Sequence, residues 1–162
     1  MKNVVLTVIS LLASLSIATA NVHQSASGSQ AYSGSNNAVT AEKMETESFD
    51  GNTCARVTAS MPRWGYVTYW MGIPTPAGTS IIKFRLYNSG EETTTYSVYL
   101  DSNGKHEPLG ELTIPADTPA NSFVDVELSV YSDTKWSGIT LKRTGESNGP
   151  SPWIQKVSVI LD

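Results

Sequence analysis

The chain has 162 residues, 11 lysines and arginines against 15 aspartates and glutamates, and a formal net charge of −4, so a nucleic-acid or anionic-membrane partner, whose binding rests on a strong excess of positive charge, is not expected. Its one cysteine, Cys54, has no partner within the chain. Stability must therefore come from a packed core rather than from internal disulfides, and a chain of this size buries enough surface for one.

The first element is an export signal. Lys2 gives a positive start, an apolar stretch runs from Val4 through Ile17, and Ala18-Thr19-Ala20 supplies small residues for signal peptidase, which predicts a signal peptide over 1–20 and a mature chain from Asn21. A membrane anchor is the competing reading, but the stretch is short for roughly 30 Å of hydrocarbon and no second run of that length follows, so no membrane insertion is expected. A lipoprotein anchor would need a cysteine just after the cleavage site, and Cys54 is too far along. Loss of the signal takes away only Lys2 and leaves 10 basic against 15 acidic residues, a net charge of −5.

From Asn21 to about Thr40 the chain is Asn, Ser, Gly, Gln and Ala with almost no large apolar residue, which predicts a flexible polar lead-in over 21–40. From Ala41 to Asp162 short alternating segments of β-branched and aromatic residues are separated by Gly, Pro, Asn and Asp, the texture of a sandwich or barrel domain. Strands are expected at Glu42–Phe49, Cys54–Ser60, Tyr66–Ile73 and Thr79–Asn88, the last with Ile82, Phe84 and Leu86 on one face and Lys83, Arg85 and Tyr87 on the other. Tyr96, Val98 and Leu100 share a face in the next strand, and Asp101-Ser102-Asn103-Gly104 reads as a hairpin turn. Leu109–Ile114, Phe123–Tyr131, with Val124, Val126, Leu128 and Val130 together, Gly138–Arg143 and Ile154–Leu161 complete about nine strands with no amphipathic helix. The fold class is all-β, an antiparallel β-sandwich of jelly-roll type. Cys54 is expected to be buried, with intermolecular pairing as the alternative.

Read in order, these segments resemble the galactose-binding-like jelly rolls, especially the carbohydrate-binding modules of secreted glycoside hydrolases. The likeness rests on the acidic strand Glu42-Lys-Met-Glu45-Thr-Glu47, the aromatic strand Tyr66-Val-Thr-Tyr-Trp70, and the Pro76-Ala-Gly78 approach to Ile81-Ile-Lys-Phe-Arg-Leu-Tyr87. It continues in Tyr96-Ser-Val-Tyr-Leu-Asp101 and in the final segments Ile139-Thr-Leu-Lys-Arg143 and Trp153-Ile-Gln-Lys-Val157. One departure stands out: where such modules often place an exposed tryptophan before the seventh strand, this chain has Pro119-Ala-Asn-Ser-Phe123.

Sugar recognition asks for an aromatic ring against the apolar face of the sugar, with amide, carboxylate and guanidinium groups at the rim. Trp64, Tyr66 and Trp136 are the candidate platform. The resemblance adds Asn148, in the loop before the last strand where related modules carry a ligand-touching amide. Tyr69 or Trp70, depending on register, and Trp153 are the better core candidates. The resemblance also implies a structural calcium ion tying the first strand to the last. Glu45 and Glu47 share a strand face and Asp162 closes the chain, the kind of oxygen set calcium takes; the alternative for the glutamates is a solvated acidic edge that discourages strand-to-strand aggregation.

Catalysis is not expected. His23 falls in the lead-in and His106 beside a hairpin turn, neither placed to activate a nucleophile, and two isolated histidines with one cysteine make no familiar zinc set. Paired carboxylates among Glu91, Glu92, Glu107, Glu111, Asp125, Glu127 and Asp133 keep a glycan-active hydrolase as one alternative. The expectation is a secreted, extracellular or periplasmic, non-catalytic lectin-like module whose partner is a polysaccharide or other glycan. The remaining alternative is a structural or adhesive domain with a protein partner.

Overall fold

The computed structural model describes residues 22–31, 44–102, 105–144 and 149–161. Ten strands lie among them: β1 (Val22–Ser27), β2 (Met44–Phe49), β3 (Asn52–Val57), β4 (Tyr66–Thr75), β5 (Gly78–Asn88), β6 (Tyr96–Ser102), β7 (Lys105–Leu112), β8 (Ser122–Ser132), β9 (Trp136–Lys142) and β10 (Trp153–Leu161). They form two antiparallel sheets. A six-stranded sheet runs β2-β3-β10-β5-β8 with β1 also on β10, and a four-stranded sheet runs β4-β9-β6-β7. The expected all-β jelly-roll sandwich is the observed architecture. The hairpin expected after Asp101 closes with Ser102 opposite Lys105.

Period-two alternation dictates the core. Ile82, Phe84 and Leu86 of β5, Val157 and Val159 of β10, Val67 and Tyr69 of β4, Tyr96, Val98 and Leu100 of β6, and Ile139 and Leu141 of β9 are fully buried between the sheets. Each such side chain contributes about 1.5–3 kcal/mol through removal from water. A smaller cluster forms on the outer face of the six-stranded sheet, where Cys54, Tyr87 and Trp153 are buried and Phe49 and Phe123 pack against them. Phe49 stacks on Tyr87 at 4.0 Å between ring centres and meets Trp153 edge-on at 5.2 Å. Trp153 is thus a packing residue, as expected, with the Arg56 guanidinium 4.2 Å from its ring centre.

The lead-in reading is corrected over Val22–Ser27. These residues form β1, paired antiparallel with Lys156–Ile160 of β10. One edge of β10 is taken along its length by β5, while β3 reaches the other edge only at Ile154. Without β1 the rest of that edge would carry unpaired N–H and C=O groups, and closing it takes backbone hydrogen bonds rather than large apolar side chains. Small residues suit the place. Ala26 and Ala31 are buried, and a Cβ at Gly28 would collide with the carbonyl oxygen of Ile154. Tyr69 Oη donates to the Gly28 carbonyl at 3.2 Å, and Gln24 both donates to the Ile73 carbonyl and accepts from its N–H. The expected signal peptide over 1–20 and the rest of the lead-in, 32–40, lie outside the described residues.

Candidate functional site

The outer face of the four-stranded sheet carries a group of outward aromatic residues, while Tyr131, 73 % exposed, stands on β8 of the other sheet. Because Val67, Tyr69 and Met71 of β4 point into the core, Tyr66, Thr68 and Trp70 point outward; by the same alternation Gly138, Thr140 and Lys142 of β9 and Ser97, Tyr99 and Asp101 of β6 share that face. Pairing aligns them in rows: Tyr66, Lys142 and Ser97; Thr68, Thr140 and Tyr99; Trp70, Gly138 and Asp101. Tyr66 and Trp70 are four residues apart on one strand, about 13 Å. This is the span of an oligosaccharide segment rather than of a single ring.

The middle of this face is sealed. Thr68 and Thr140 point outward yet are each 1 % exposed, and their hydroxyls share a hydrogen bond of 2.8 Å. Gly138 leaves room beside them for the Trp70 ring, which remains 51 % exposed. Asp101, half-buried, brings its Cβ up against Gly138 beside that ring.

Trp64 extends the face from a tight turn. Its N–H donates to the Arg143 carbonyl at 2.8 Å, the Arg143 N–H donates to the Gly65 carbonyl at 3.0 Å, and the buried Arg143 guanidinium donates to the Met61 carbonyl. These bonds hold Trp64 at φ +69°, a left-handed conformation that costs a non-glycine residue about 1–3 kcal/mol and persists only where its surroundings impose it. The strain presents the indole to solvent at 56 % exposure. Lys142 Nζ lies 5.4 Å from the Trp64 ring centre and 5.9 Å from that of Tyr99, joining the turn to the sheet face.

Of the expected ligand residues, Trp64 and Tyr66 come together here. Trp136 does not: it opens β9 at 1 % exposure inside the core. The pairing of β4 with β9 is irregular between Trp70, opposite Gly138, and Thr75, opposite Trp136, and this break turns Trp136 inward against the simple alternation. Asn148 lies outside the described residues. The register that the sequence left open buries Tyr69 and puts Trp70 outside, so Trp70, with Tyr99 and Lys142, belongs to the face. A strand pattern of Tyr99 and Asp101 alternating with buried Val98 and Leu100 is the signal that points to Tyr99.

Of the expected calcium donors, Glu45 and Glu47 lie on β2. Glu45 accepts from Arg56 Nε at 2.5 Å on exposed strand β2, and β2 with β3 meets β10 at the level of Ile154. Leu161 is seven residues further along β10, about 23 Å away, and Asp162 after it lies outside the described residues. Among the described residues no three His, Cys, Asp or Glu side chains gather as a metal site. Three of the hydrolase carboxylates, Glu91, Asp125 and Glu127, are engaged by cations. Lys83 Nζ bridges Asp125 and Glu127 at 3.1 Å each, and Arg56 holds the Glu91 carboxyl below the usual range, the opposite of the raised value a general acid needs.

No family model and no curated protein matches the sequence. Among solved structures, the chain is similar to the C-terminal CBM6 module of the laminarinase LamC from the marine Zobellia galactanivorans, with a TM-score of 0.59 and 18 % identity over 85 % of this chain and 98 % of that one. It is also similar to the module CBM6cm-2 of lichenase 5A from Cellvibrio mixtus, solved with cellotriose, at TM-score 0.57 and 12 % identity over 88 % and 99 % of the two chains. A CBM35 module from Paenibacillus barcinonensis follows at 0.53 and 12 %, covering 86 % and 99 %. Nearly the whole of each module is spanned by this sandwich, and the chain has the jelly-roll fold of carbohydrate-binding modules.

Proposed function

We propose that this protein is an exported, non-catalytic module that binds a polysaccharide on the outer face of its four-stranded sheet. The observation that carries the reading is the row of outward aromatics, Trp64, Tyr66, Tyr99 and Trp70, on one face of a sheet whose next layer is sealed. Exposed aromatic rings on rigid strands stack on the apolar faces of sugar rings at little entropic cost. Lys142, Asp101 and Ser97 sit among them as partners for hydroxyls. Export rests on the N-terminal signal pattern, and similarity to modules taken from a laminarinase and a lichenase supports the glycan reading.

The test is affinity electrophoresis and insoluble-polysaccharide pull-down of the mature protein across neutral glucans, xylans and galactans, with calcium and with a chelator. Saturable retention that is lost in Trp70→Ala and Trp64→Ala supports the reading. Retention unchanged in both variants moves the site off this face, and no retention on any glycan makes the sandwich a protein-interaction domain instead.

A further inference from the structure

We propose that a groove on the opposite face, the outer face of the six-stranded sheet, is a second site that takes an anionic polysaccharide by its carboxylate or sulfate groups. The groove is about 290 Å³, with Lys83, Arg85 and Lys156 as its cations, Asp125 and Ser158 between them, and Val22 and Ile160 as an apolar wall. Strand register builds it: Lys156, Arg85 and Asp125 form one row across β10, β5 and β8, and Ser158, Lys83 and Glu127 form the next. The wall is completed by β1, whose Val22 lies opposite Ile160. The groups are therefore fixed by backbone pairing rather than carried on loops.

The charge balance selects the ligand. Three cations line the groove against one carboxylate, and counting Glu127 beside it the two rows hold +3 and −2. A locally positive groove on a chain of net charge −4 is complementary to an anion, not to another protein surface of the same acidic kind. Lys83 is occupied by Asp125 and Glu127. Lys156 is exposed and makes no ion pair among the described residues. Arg85 touches Asp125 only at 3.5 Å, with its guanidinium 5.1 Å from the Phe123 ring centre. A guanidinium so oriented keeps paired N–H donors for the two oxygens of a carboxylate or sulfate. The Ser158 hydroxyl serves a sugar hydroxyl, and Val22 with Ile160 receive the apolar face of the ring. Only the anionic group distinguishes this ligand from the one proposed for the aromatic face, and the inference does not depend on that reading.

Equilibrium titration of the mature protein tests it, with trigalacturonate as the carboxylate probe, a sulfated galactose disaccharide as the sulfate probe and cellotriose as the uncharged control, each at low and high salt. An anionic probe is expected to bind in preference to cellotriose, to weaken with salt, and to lose about tenfold or more in affinity in Lys156→Gln and in Arg85→Gln. Whichever anionic probe binds names the group. Lys156→Gln changes an exposed side chain and keeps the test readable if Arg85→Gln lowers stability. Three results overturn the proposal: neither anionic probe binds, binding survives both substitutions, or the loss follows Trp70→Ala instead. If cellotriose alone binds, the inference fails and the aromatic face stands.

Discussion

The Trp70 ring lies across Gly138, so that a Cβ at position 138 would meet it at 3.0 Å and the Asp101 Cβ at 2.7 Å. This contact ties the half-exposed Trp70 ring of the aromatic face to the one residue type that fits beneath it. Gly138→Ala is therefore expected to push Trp70 and Asp101 apart, to lower stability by about 1–3 kcal/mol through overpacking, and to weaken glycan retention without touching a ligand. Urea unfolding beside affinity electrophoresis checks both. A variant with wild-type stability and retention would mean that the face adapts freely.

The two outward and inward tryptophans should separate cleanly by their free energies. Trp136→Ala empties a fully enclosed site and is expected to cost about 3–5 kcal/mol, whereas Trp70→Ala removes a half-exposed ring and is expected to change stability by less than about 1 kcal/mol. Denaturant midpoints read the first effect, and glycan retention reads the second. Equal destabilisation by the two substitutions would contradict the register that places them on opposite sides of the sheet.

At the N-terminal edge, Gly28→Ala sets a methyl group against the Ile154 carbonyl, which is held between β3 and β5. The cheaper relief is for the segment from Val22 to Ala31 to lift from β10. Amide exchange at Val22–Ser27 is expected to rise well above that of β5, with limited proteolysis cutting first in the same segment. Unchanged protection of these amides would show that the collision is absorbed elsewhere.

Burial holds three acidic protons in place: it pushes the Cys54 thiol up to about 11 and the Tyr96 phenol up to about 12, the latter against the opposing pull of Arg143, and it raises the Tyr69 phenol as well. The folded state binds these protons more tightly than the unfolded chain does, so their contribution is complete below the ordinary thiol value near 9 and is lost as pH climbs toward the folded values. The melting temperature is expected to fall from about pH 9 upward, and less steeply in Tyr96→Phe. At pH 8 an aromatic disulfide reagent should label Cys54 only as fast as the protein opens. Immediate labelling of the native protein would put the thiol at the surface.

Much of the sandwich was legible because its strands are half-buried and antiparallel, which writes a period of two into the sequence. Ile82, Phe84 and Leu86 against Lys83 and Arg85 is such a record, and the observed β5 begins one residue before the expected strand. Val22–Ser27 left no record of this kind, because what holds β1 is the backbone of β10, and a backbone edge asks nothing distinctive of side chains. The aromatic face was partly legible: Trp64 and Tyr66 were expected on it, while Trp136 was expected there and is buried.

The sequence by itself determined the alternation, and with it the number of layers, the composition of the core and the presence of aromatic residues beyond those the core can hold. Which side of a strand each aromatic takes was decided by the tertiary structure. Tyr69 and Trp70 are chemically alike and adjacent, and only pairing with Ile139 and Gly138 of β9 turns the first inward and the second out. Trp136 went inside because an irregular stretch of β4, from Trp70 to Thr75, breaks the register of its partner strand. A one-residue change of phase moves a side chain from core to solvent at no cost in local propensity, so its sign is set by the sum of contacts across both sheets.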